Sequence, residues 1–182
     1  MSINAGRRQV SLFAILAIIV SMGVAPAGAF AQDQDVRTVT MTFELAGDPT
    51  SQHTTSVGPD GSTLYGVVRL TGEADLDGRP VDVDLLFSPL YRDGSGPFTG
   101  WITLTETGDD VLGLGFSGYS FKRGDVTDIE GAIGVVGGTG VYEGVTGNGQ
   151  MHAIRGGGVG NNVRYDLVLD LAGLPPSTVA TP

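Results

Sequence analysis

The chain has 182 residues, with 10 Lys plus Arg against 20 Asp plus Glu, 30 glycines and no cysteine. At 41% hydrophobic and 16% charged residues it is neither an acidic disordered tail nor a coiled coil, and the lack of cysteine excludes disulfide scaffolds and thiolate metal sites. The length fits one domain.

Residues 1–31 read as a signal peptide. Arg7 and Arg8 precede an apolar run from Val10 to Val24, Pro26 and Gly28 break it, and Ala29-Phe30-Ala31 forms a small-residue cleavage site ahead of Gln32. The run is short of the about 20 apolar residues that a transmembrane helix needs, which favours a cleaved signal over the competing reading of an uncleaved anchor. Arg7-Arg8-Gln9-Val10 raises twin-arginine export, whereas Ser11 interrupts the hydrophobic stretch that should follow, and the route stays open. The layout implies a bacterial protein, secreted or periplasmic, with no membrane attachment after cleavage. Losing residues 1–31 removes two arginines and no acid, leaving eight basic residues against twenty acidic ones. Lys122 and seven scattered arginines form no phosphate-binding cluster, so neither nucleic acid nor an anionic membrane surface is an expected partner.

From residue 36 onward the apolar period is two. It recurs at Val39, Met41, Phe43 and Leu45, at Leu64, Val68 and Leu70, and at Val163, Tyr165, Leu167, Leu169 and Leu171. Turn residues fall between these runs: Pro59-Asp60-Gly61, Asp77-Gly78, Asp93-Gly94-Ser95-Gly96, Gly108-Asp109-Asp110, Arg123-Gly124-Asp125 and Gly156-Gly157-Gly158. The spacing predicts eight strands, near 36–46, 62–75, 80–88, 98–107, 111–121, 128–136, 148–156 and 162–172. Eight antiparallel strands with short connections suit an all-β up-and-down barrel over residues 32–174, with a two-sheet sandwich as the rival. The end of the chain, residues 175–182, reads as a flexible tail.

The segment Gly131–Gly149 holds eight glycines in nineteen residues. It is not a phosphate loop: Gly138-Thr139-Gly140 would need a glycine where Glu143 stands, and no Gly-Lys-Ser/Thr follows. Gly137-Gly138-Thr139-Gly140-Val141-Tyr142-Glu143-Gly144-Val145-Thr146-Gly147 instead resembles the GGTG-x-[FY]-x-G-x-x-G segment of allene oxide cyclases and dirigent proteins. Upstream, Tyr119-Ser120-Phe121 and Gly124 to Gly131 resemble the preceding hairpin of that superfamily, and Arg164 to Leu171 resembles its closing strand. The resemblance covers residues 111–172 well and 36–110 weakly. It implies a calycin-like, eight-stranded barrel around an apolar pocket that binds a hydrophobic small molecule without a cofactor. It also implies a homodimer or homotrimer and, where there is catalysis, an isomerase or cyclase.

Candidate catalytic groups are few. Phe43-Glu44 resembles the aromatic-Glu pair on the cyclases' first strand, yet Glu44 shares a face with Thr38, Thr40 and Thr42, which reads as solvent-facing. On an inward threonine face Glu44 would be a low-dielectric carboxylate suited to proton transfer. Ala46 and Gly47 stand where the family carries polar groups. His152 shares a strand face with Gln150 and Ile154 and is either a pocket donor or an ordinary half-buried histidine; His53 lies in a polar stretch. No G-x-S-x-G elbow is present, and two histidines without cysteine fit no structural zinc site. Glu73-x-Asp75-x-Asp77-Gly78-x5-Asp84 has EF-hand-like oxygen spacing, but a hairpin turning at Asp77-Gly78 explains it better, so no metal is expected. Trp101, Phe116, Tyr119, Phe121 and Tyr142 are the candidate ligand-binding aromatics, placed at the cavity or its mouth. Three functions compete: a pocket protein for a hydrophobic small molecule, a cofactor-free cyclase or isomerase on a lipid- or polyketide-like substrate, and a packed barrel that works through its surface.

Overall fold

A computed structural model describes residues 35–47 and 49–177. Residues 1–31, read above as a signal peptide, lie outside the described residues. The described backbone is strand joined by tight turns: β1 (Val36–Gly47), β2 (His53–Val57), β3 (Thr63–Asp75), β4 (Pro80–Arg92), β5 (Gly96–Thr105), β6 (Val111–Arg123), β7 (Val126–Gly138), β8 (Thr146–Gly156) and β9 (Val163–Ala172). Single 3-10 turns stand at Pro49–Ser51 and Gly140–Tyr142. All pairings are antiparallel. They run between sequence neighbours from β3 to β9, then β9 pairs along β1, and β1 returns to β3 at Ala46↔Thr71 and Gly47↔Leu70. The sheet therefore closes into the eight-stranded up-and-down barrel that period and turn spacing predict, and closure removes the exposed edges of an open sheet.

The additional strand is a fragment of the first. β1 pairs with β3 at residues 70 and 71, and β2 continues along the same β3 from His53↔Val67 to Val57↔Thr63. The barrel's first strand is thus interrupted after Gly47 and resumes at His53. Every residue of β2 is exposed, so it carries no apolar alternation, the period from which the other strands were read.

Inside and outside follow from parity. Val39, Met41, Phe43 and Leu45 are buried, and the threonine face of β1 is outside, where Thr38 and Thr42 donate to Asp170 and Asp166 of β9 at 2.6 and 2.7 Å. The inward residues of all eight barrel strands make one continuous apolar core, with Leu70, Leu85, Ile102, Leu104, Leu114, Leu167 and Leu169 at its centre. A barrel of eight strands is just wide enough for its side chains to fill.

The β3–β4 hairpin settles the acidic spacing. Leu76 and Arg79 exchange backbone hydrogen bonds of 2.8 and 3.2 Å, while Asp77 and Gly78 take φ of 55° and 82°. This is a two-residue type I′ turn, whose two positive φ angles select Asp-Gly. Three of its acids are engaged: Asp75 accepts from the Gly78 N–H, Asp77 pairs with Arg37, and Asp84 pairs with Arg69. Among the described residues no cluster of His, Asp and Glu is placed to hold a metal ion.

Candidate functional site

The glycine motif closes one end of the barrel. After β7 the chain turns through Gly140–Tyr142, and the Tyr142 ring is fully buried. The Tyr142 hydroxyl donates to Glu106 at 2.8 Å, and the same carboxylate takes two hydrogen bonds from Arg79 at 2.9 and 3.0 Å. Burial, followed by the Glu106 carboxylate, pushes the Tyr142 phenol well above its ordinary value. Thr139 donates to the Asp109 carbonyl, and Asp110 accepts from the Val141 N–H at 3.0 Å. Gly140 sits at φ 58°, and a Cβ there would lie 2.0 Å from Asp110 Oδ1. Gly137, Gly138, Thr139, Gly140, Tyr142, Gly144 and Gly147 thus belong to a lid of backbone and one phenol. The tail joins this end, since Arg37 donates to the Leu174 and Pro175 carbonyls, Arg79 to the Pro176 carbonyl and Ser177 to the Asp77 carbonyl. Of the tail expected from residue 175, residues 175–177 make these contacts, and residues 178–182 lie outside the described residues.

The aromatics expected at the cavity or its mouth are separated by strand parity. Phe116 points inward and packs on Phe98, with ring centroids 5.9 Å apart. Tyr119 and Phe121, three and five residues further along β6, point outward and pack on each other at 4.7 Å. Trp101 is also outward, at 58% exposure, because Ile102 and Leu104 take the inward positions of β5. Tyr142 belongs to the lid. Neither candidate catalytic group reaches the lumen. Glu44 is exposed on the outer wall and accepts from Asn162 at 3.0 Å, and His152 is exposed opposite Glu130 and Asp166. The period of two on β1 and β8 puts both on the faces opposite the buried Phe43, Met151 and Ala153.

At the end away from the lid lies a chamber that sequence reasoning missed. Tyr91 (β4), Ser120 (β6), Thr127 (β7), Arg155 (β8) and Tyr165 (β9) all point inward and are buried. Ser120 Oγ donates to the Tyr91 hydroxyl at 2.7 Å, Arg155 reaches Thr127 Oγ1 at 3.4 Å, and its guanidinium lies over the Tyr91 ring at 5.9 Å. Phe87, Phe98, Phe116, Ile129, Met151 and Val163 complete the walls around a space of about 10 Å³. Burial raises the Tyr91 and Tyr165 phenols above the ordinary range. The signal for Arg155 was in the sequence, because it continues the inward series Met151, Ala153 on β8.

Outside, β5, β6 and β7 carry an open recess of about 440 Å³ lined by Thr99, Trp101, Gly115, Ser117, Ala132 and Val136 among others, without a charged side chain. Leu86, Trp101, Gly115 and Gly134 form one cross-strand row. A register shift in the β6–β7 ladder at Gly113/Leu114 leaves Val136 60% exposed, with its methyl groups over Gly113 and Gly115. The described strands form a closed, eight-stranded antiparallel barrel around a continuous apolar core. No family model, curated protein or solved structure matches the chain.

Proposed function

We propose that this chain is an exported, cofactor-free binding barrel that acts through the apolar outer face of β4–β7, and that the surface covering this face is a second copy of the chain. The observation that carries it is a contrast. The interior is filled to about 10 Å³, whereas Leu86, Trp101 and Val136 stand exposed around a glycine-floored recess with no charge in it. Projecting Trp101 and Val136 beside a recess on the same face makes that face self-complementary, as a two-fold contact requires. Two copies of so acidic a chain repel elsewhere, which favours contact at an uncharged patch. The glycine motif and its flanks support membership of the allene oxide cyclase and dirigent superfamily, in keeping with a homodimer or homotrimer.

Trp101 is the sole tryptophan, so its emission reports on this face alone. Light scattering should give a multiple of the monomer mass, with blue-shifted emission that moves red on dilution and in Val136→Asp. A monomer with red-shifted emission at every concentration would sink the reading. Export is tested by N-terminal sequencing of the protein recovered from outside the cell: it should begin at Gln32, and an intact Met1 start rules cleavage out.

A hydrophobic small molecule held in the lumen is the second reading, favoured by the aromatic walls of the Arg155 chamber. It requires Met151 and the surrounding rings to yield, because the space at rest admits no drug-sized ligand. Native mass spectrometry before and after mild organic extraction decides it: a bound apolar mass supports the lumen, and its absence leaves the outer face. Cyclase or isomerase chemistry through Glu44 or His152 is the weakest of the three, since both side chains project from the outer wall.

A further inference from the structure

We propose that the Arg155 end of the lumen is a binding site for one compact monovalent anion of halide size. Arg155 is 2% exposed on the inward face of β8. Its Nε is buried with no hydrogen-bond partner, as is that of Arg79, and among the described residues its guanidinium meets only neutral groups, the Thr127 hydroxyl at a long 3.4 Å and the Tyr91 phenol. Among the described residues no carboxylate forms an ion pair with it. The opposite end of the same barrel provides the comparison. There the largely buried Arg79 is neutralised by Glu106, which takes two of its N–H groups and a phenol besides. Among the described residues a carboxylate thus meets one interior arginine and not the other, and a buried cation without a counter-charge is costly.

The chamber selects the counter-charge by size and by chemistry. About 10 Å³ corresponds to roughly one water-sized body, which excludes phosphate, sulfate and any acid carrying a tail. Because Ser120 donates to Tyr91, the Tyr91 proton is left to point elsewhere, and the Tyr91 and Tyr165 phenols stay protonated, so they serve as donors and not as anions. The remaining walls, Phe87, Phe98, Phe116 and Ile129, offer aromatic edges and methyl groups. Such walls suit a large monovalent halide, which gives up less solvation on entry than a smaller or multivalent anion and is attracted to positive ring edges.

The test uses the mature wild-type protein and sodium bromide, exchanged for sodium gluconate at constant ionic strength. Thermal unfolding should rise with bromide, by about 5–10 °C at a hundredfold excess over the dissociation constant. Arg155→Met should show no dependence on bromide and unfold no lower than the wild type in gluconate. Crystals grown in bromide should give an anomalous peak beside Arg155 Nε. If R155M does not fold, bromide NMR line broadening on the wild type, displaced by chloride, gives the same answer without a variant. A wild-type curve flat in bromide overturns the proposal, as does an R155M curve that follows the wild type. Peaks confined to exposed arginines, an adventitious ion only, overturn it too.

Discussion

Tyr142, Glu106 and Arg79 show how one carboxylate holds the closed end of the barrel. Glu106 neutralises a guanidinium only 12% exposed and accepts the Tyr142 proton. Removing the charge strands the cation, whereas removing the phenol leaves the ion pair intact. Glu106→Gln should therefore cost about 3 kcal/mol of stability and Tyr142→Phe about 1–2 kcal/mol, both read by urea unfolding. A larger loss for Tyr142→Phe would mean that the ring's seat, and not the ion pair, holds the lid. Glu44 and His152 make a different case at this scale. A resemblance on the first strand made Glu44 a catalytic candidate and residue type made His152 one, but parity sends both outward. Chemistry-bearing residues were legible in the sequence; the face each occupies became certain only when neighbouring strands fixed which face is inside.

The lid between β7 and β8 and the β3–β4 hairpin are the elements where local sequence dictates geometry most strictly. Gly140 combines a positive φ with a neighbour that leaves no room for a Cβ, so Gly140→Ala should cost about 2 kcal/mol or more. Gly78→Ala, in the type I′ turn, should cost about 1–2 kcal/mol from the φ requirement alone. Thermal unfolding of the two variants side by side checks the ranking, and equal losses would show that the Asp110 contact relaxes freely. The hairpin was legible because Asp-Gly between alternating runs admits one turn type. β2 was not: its five exposed residues carry no period, and it is a strand only because β3 extends beyond the end of β1 and offers it a partner.

For the whole molecule, closure depends on its most distant pairing. β1 and β9 register from Val36↔Ala172 to Leu45↔Val163, so the barrel forms only when the two ends of the domain meet. Such non-local pairing slows folding. Deleting residues 163–172 should abolish cooperative unfolding in denaturant, and a truncated chain that still melts cooperatively would refute the dependence on closure. Alkaline stability is also a property of the assembled barrel, because Tyr91, Tyr142 and Tyr165 are neutral phenols held by burial. Each has a folded pKa raised above the ordinary value of 10.0. Their contribution is therefore complete below pH 10 and is lost as pH rises above it, since the unfolded chain ionises first. Tyrosinate absorbance from these three should appear together with loss of the β-sheet circular dichroism. Ionisation of all five tyrosines with the sheet intact would contradict it.

The sequence by itself determined the eight long strands, their turns and the all-β class, with the closed barrel favoured over a sandwich, because a period of two and residues that tolerate positive φ act over a few positions and need no partner to be recognised. It also marked the glycine segment as a place where backbone must approach backbone. Only the tertiary structure decided what occupies the interior. Closure sets the radius, the radius sets how much side chain the lumen accepts, and the apolar rows of eight strands fill it. That filling left Trp101, Tyr119 and Phe121 outside, and it gathered Tyr91, Ser120, Thr127, Arg155 and Tyr165, drawn from five strands, into one chamber that no local pattern announces.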